Sequence, residues 1–75
     1  MLTISLKQSS DADDITVTVE EEQRILDTIN VLETAGLLLS ADYHMVQSYR
    51  TKQRIPVNST YREGHIYNGD ILMLL

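Results

Sequence analysis

Five consecutive apolar residues, Ile71-Leu72-Met73-Leu74-Leu75, constrain this chain more than any other feature. The run is too short for a useful helix and has no polar position to give to water, so it reads as a strand contacted on both faces. Such a strand needs a neighbour on each edge, and those neighbours must come from earlier in the chain. Asn68-Gly69 just upstream is a strong turn signal, because both residues tolerate positive φ.

Two earlier stretches supply partners. Leu2, Ile4 and Leu6 alternate with Thr3 and Ser5, and after the loop at 8–14 the alternation resumes as Ile15, Val17 and Val19 against Thr16 and Thr18. That pattern predicts a hairpin with one buried face. The period then changes. Ile25, Ile29 and Leu32 recur at helical spacing, flanked by Leu26 and Ala35, which predicts an amphipathic helix of about three turns. Gly36 is placed to end it in the left-handed conformation, and Glu20, Glu21 and Glu22 are expected near the partial positive charge at its start.

One or more of Leu37, Leu38 and Leu39 should plug the core, and Asp42 and Tyr43 lead into a third strand around His44 to Tyr49. Its inward face stays open: Met45 and Tyr49 share one parity and Val46 has the other. Residues 50–54 read as a basic connection. Ile55-Pro56-Val57 fits only a short edge segment, since proline cannot donate a ladder hydrogen bond. Asn58 and Ser59 then turn the chain toward Tyr61 and Ile66.

The order hairpin, helix, strand, short strand, final strand predicts an α+β fold in which one helix covers one face of a mixed four- to five-stranded sheet. The first and last strands are expected side by side and parallel in the middle. At 75 residues the chain is one domain, residues 1–75, with little margin in its core. The absence of cysteine removes disulfides and thiol chemistry and fits a reducing compartment. No stretch approaches a membrane span of about 20 residues, and the first ten residues lack the features of an export signal, so the expectation is a cytoplasmic protein.

The net charge of −5 is unevenly placed. Residues 1–42 carry every acid except Glu63 and Asp70, with only Lys7 and Arg24 as cations, whereas Arg50, Lys52, Arg54 and Arg62 follow. An acidic balance argues against general nucleic-acid affinity, which depends on clustered cations.

These elements form the ubiquitin-like β-grasp pattern, and the second half resembles ubiquitin in the spacing of Thr60-Tyr61, Ile66, Leu72 and Leu74. The C-terminal NGDILMLL, the helix RILDTINVLETAG and the length more narrowly resemble the EsaB/YukD family, ubiquitin-like accessory proteins of Gram-positive type VII secretion systems. The resemblance implies a non-enzymatic protein that binds other proteins, with a membrane component of the secretion machine as partner and a place at the inner face of the cell membrane. Conjugation is not expected: it needs a flexible tail ending in Gly-Gly, and Leu75 is bulky and strand-bound.

By the ubiquitin spacing Leu72 and Leu74 face the helix, so Ile71, Met73 and Leu75 face away, onto the side of the sheet without a helix. Exposed apolar residues on such a face mark an interaction site. Met45 and Tyr49 are expected to join it, bordered by Arg50, Lys52 and Arg54. A homodimer through the same face is an alternative use.

Other chemistry is weaker. His44 with Asp42, and His65, have no oxyanion loop or nucleophile elbow around them, so neither reads as part of a triad. Asp11, Asp13 and Asp14 lack the central glycine of a calcium loop and read as a solvated turn. Glu20 to Glu22 read as a soluble face. No cofactor or metal is expected. Arg50, Lys52 and Arg54, with Tyr49 beside them and Tyr61-Arg62 following, also fit a single-stranded nucleic acid, making a nucleic-acid-binding regulator one alternative and a small ubiquitin-like subunit of a multicomponent oxygenase another.

Overall fold

A computed structural model describes residues 1–9, 11, 13–38 and 43–75. Leu39 and Asp42, named above as a core candidate and a histidine neighbour, lie outside them. The elements run β1 (Leu2–Lys7), β2 (Ile15–Val19), α1 (Ile25–Thr34), β3 (Met45–Ser48), β4 (Arg54–Pro56) and β5 (Ile71–Leu74). One mixed sheet has the order β2-β1-β5-β3-β4, and the fold is α+β of the β-grasp type.

The final strand is central. It pairs parallel to β1 (Ser5 with Ile71, Leu6 with Leu72, Lys7 with Met73) and antiparallel to β3 (Val46 with Leu74, Gln47 with Met73, Ser48 with Leu72). Both edges are thus occupied, which is why the run tolerates apolar residues at every position. Leu72 and Leu74 join Leu2, Ile4, Leu6, Val46, Ile55 and the α1 residues Ile25, Ile29 and Leu32 in one buried cluster. The ambiguity in β3 resolves with Val46 and Ser48 inward. Ser48 is tolerated there because its hydroxyl accepts the Thr51 N–H at 3.3 Å. β4 begins one residue earlier than expected, bringing Arg54 out of the connection and opposite Gln47.

Gly36, at φ 78°, ends α1 as expected: Gly36 N–H donates to the Glu33 carbonyl and Leu37 N–H to that of Leu32, the paired bonds of a Schellman motif. Of the leucines that follow, Leu38 is buried and Leu37 exposed. The helix start differs from expectation. Glu20 to Glu22 lie in a turn before Arg24 and do not cap α1; Ile25 and Leu26 N–H donate instead to the carbonyls of Ser59 and Val57, at 3.1 and 2.9 Å. These distant carbonyls satisfy donors that a local side chain would otherwise take.

Residues 60–66 form a miniature helical turn closed at both ends. Thr60 N–H donates to Glu63 Oε1 (2.9 Å) and Glu63 N–H to Thr60 Oγ1 (3.1 Å), a capping box. These Thr60 contacts, the N–H foremost, hold the Glu63 carboxyl below its ordinary pKa. His65, at φ 54°, closes the turn: its N–H donates to Arg62 and that of Ile66 to Tyr61. Tyr61 is fully buried, and its hydroxyl donates to Thr28 Oγ1 at 2.7 Å, locking this turn to α1. At Asn68-Gly69 only Gly69 takes positive φ (87°), with Asp70 N–H bonded to the Tyr67 carbonyl, as in a type II turn. The turn clamps Thr3, whose N–H donates to Asn68 Oδ1 and whose carbonyl accepts the Gly69 N–H, both at 2.7 Å.

Candidate interaction face

With the helix on one side, strand alternation sends a second set of side chains to the other. The register arranges them in rows across the sheet. Lys7, Met73, Gln47 and Arg54 form the middle row. Ser5 and Ile71 form the next, extended by Tyr49, whose N–H donates to the Ile71 carbonyl at 3.0 Å. On the other side Met45 pairs with Pro56, and the Leu75 N–H donates to the Met45 carbonyl at 2.9 Å.

Ile71, Met73, Met45 and Tyr49 are half-buried, while Leu75 is 42% exposed. These neighbours form a contiguous apolar strip on the face without a helix. Both backbone groups of Leu75 are held by the β3 side, since its carbonyl also accepts the His44 N–H at 3.2 Å.

Cations surround the strip. The Lys7 and Lys52 ammonium groups lie 5.8 and 5.4 Å from the centre of the Tyr49 ring, within cation–π range. Lys7 is also 3.2 Å from Asp14 Oδ1, and that hydrogen bond raises its pKa. Lys52 sits at φ 64°, with its N–H donating to Ser48 and its carbonyl accepting the Gln47 side-chain amide, so its backbone is fixed in the β3–β4 turn. Lys52 and Arg54 make no ion pair with a described carboxylate.

Arg50, expected as a border contact, has a structural task. Its Nε and Nη2 donate to the two Asp70 oxygens at 2.9 and 3.2 Å, and Nη2 also reaches the His65 carbonyl at 3.0 Å. The guanidinium lies 4.9 Å from the Tyr67 ring centre. Asp70, only 6% exposed, therefore remains ionised: the Arg50 hydrogen bonds, and then the Tyr67 N–H at 2.9 Å, lower its pKa.

Met45, Tyr49, Ile71, Met73 and Leu75 are thus brought together, with Lys52 and Arg54 at the border and Arg50 engaged elsewhere. Lys7, Gln47 and Pro56 were missed. Lys7 was legible from the parity of Leu2, Ile4 and Leu6 once β1 is paired with β5. The remaining candidates are dispersed. His44 and His65 are exposed, as are Asp11, Asp13 and Asp14, and no cluster among the described residues has the arrangement to hold a metal ion. Glu21 and Glu22 pair with Arg62 at 3.0 and 3.3 Å on the opposite, acidic end.

No described helix is long and apolar enough to cross a membrane. Neither a family model nor a curated protein matches the chain.

Proposed function

We propose that this chain is a non-catalytic, ubiquitin-like binding module that works through its helix-free sheet face. The observation that carries the reading is the apolar strip of Ile71, Met73, Met45 and Leu75, held on the adjacent strands β5 and β3 and open to a partner. A flat face built on paired strands presents area without a pocket, which suits protein recognition better than binding and turning over a small substrate. The resemblance of NGDILMLL and the helix to the EsaB/YukD family supports the finer reading: a cytoplasmic accessory or regulatory protein of a type VII secretion system, docking on a membrane component of the machine.

The test is an affinity pull-down of the full chain from detergent-solubilised native cells, beside Met73→Gln. The tag belongs at Met1, which is 82% exposed, because Leu75 is bonded into the sheet. Gln is preferable to Lys at position 73: Lys7 is its cross-strand neighbour, and like charges there would destabilise the sheet. Enrichment of a type VII membrane component that is lost in a normally folded Met73→Gln supports the reading. Recovery of only the chain itself, of nucleic acid, or of a partner indifferent to the substitution overturns it.

A further inference from the structure

The charge around the strip says what kind of partner fits it. The molecule carries −5 overall, yet this face is bordered by Lys7 on one side and by Lys52 and Arg54 on the other. Most acids gather elsewhere, Glu20 to Glu22 beyond β2 and Asp27 and Glu33 on α1, while Asp13 and Asp14 of the β1–β2 loop lie beside Lys7. A segment bearing carboxylates is repelled by most of the molecule and attracted to this one face. That arrangement supplies both steering and discrimination.

Resting on the sheet face being the contact surface, we infer that its partner is an acidic segment with an apolar anchor. The anchor packs on Met73 and Ile71 while a carboxylate on either side meets Lys7 and Arg54 or Lys52. The middle row fixes the spacing. Lys7 and Arg54 are three strand separations apart, about 14 Å. An extended chain rising ~3.4 Å per residue covers that distance in about four residues. The recognised pattern is therefore an acid, an apolar or aromatic residue in the interval, and a second acid about four positions from the first. The Lys7 side is weakened by Asp14, which already neutralises its ammonium at 3.2 Å. Freeing Lys7 strengthens recognition, an effect that a merely structural Lys7–Asp14 pair would not produce.

The probe is a random library of short displayed peptides selected against the intact chain, with the selected consensus peptide titrated into isotopically labelled protein. The expected consensus is acid, apolar anchor, acid, with NMR shifts centred on Ile71, Met73, Tyr49 and Arg54. Affinity should fall about tenfold between ~0.1 and ~1 M salt, as screening shortens from ~10 to ~3 Å. Lys52→Glu with Arg54→Glu should weaken it about tenfold, and Asp14→Asn should tighten it about threefold. Neutral or basic peptides on the same residues, or an Asp14→Asn that binds no tighter, overturn the inference while leaving the face itself in place. Peptides that perturb another surface, no selected peptide at all, or self-association through the strip overturn it as well; the first of these also removes the face as the contact site.

Discussion

Asp70 shows how one side chain ties together segments distant in sequence. It precedes the central strand, is 6% exposed, and accepts from both Arg50 nitrogens and from the Tyr67 N–H. A buried carboxylate is costly unless its oxygens find donors, and here both do. Because the folded-state pKa is depressed, the stabilisation is fully present above the ordinary value of 3.8 and is lost as pH falls through the lower folded value. Asp70→Asn should cost about 2 kcal/mol near neutrality by urea denaturation, and the gap from the parent should close in the acid range below 3.8. A gap that is constant with pH would show that ionisation of Asp70 does not stabilise the fold. Gly64 and His65 divide labour in a way the sequence conceals. His65, not the glycine, takes the left-handed conformation, while glycine is needed at 64 for space: a Cβ there would stand 3.0 Å from Ile55 Cγ2. Gly64→Ala should therefore cost ~1–3 kcal/mol through overpacking, whereas His65→Gly should be neutral or stabilise by about 0.5 kcal/mol; paired melting curves would check both.

Element ends separate what local sequence dictates from what it cannot. The end of α1 is local: Gly36 at φ 78° lets two carbonyls of the last turn be satisfied within five residues. Gly36→Ala should cost about 1 kcal/mol in thermal or chemical unfolding, with Gly36→Asn milder, because asparagine tolerates the left-handed region. A loss much below that would mean the helix end frays without penalty. The start of α1 is not local. The glutamates before it suggested a charge-stabilised start, but the donors of Ile25 and Leu26 are taken by carbonyls some thirty residues later. The strand-like segment around Val57 was legible as an edge. Its second use as a backbone cap was not, since tertiary hydrogen bonds leave no mark on residue type. Tyr61 is similar: its ubiquitin-like spacing was legible, while its burial and its bond to Thr28 depended on where α1 lay. Tyr61→Phe keeps the packing and should lose only that bond, about 1 kcal/mol.

At the scale of the molecule, β1 and β5 are the most distant strands in sequence and lie beside each other in space. The hairpin, the helix and the central last strand were legible because their periods differ and β5 is apolar at every position. The inward face of β3 was not: Met45 looks like core and Ser48 like surface, yet Ser48 is buried and Met45 is half-open on the other side. The same ambiguity hid Gln47, because only the β3–β5 register places it opposite Met73. Topology also sets how the sheet opens. β2 and β4 are edges, and separating either leaves the buried pairing of β1, β5 and β3 intact, whereas freeing β5 breaks two ladders and pulls Leu72 and Leu74 from the core. Native-state hydrogen exchange should therefore show the hydrogen-bonded amides of β5 opening only with the free energy and denaturant dependence of global unfolding. Amides of the β3–β4 pair should exchange through smaller openings with a shallower dependence. If β5 instead opened below the global free energy while β4 stayed protected, the last strand would be a detachable element, and the face it carries a switchable surface.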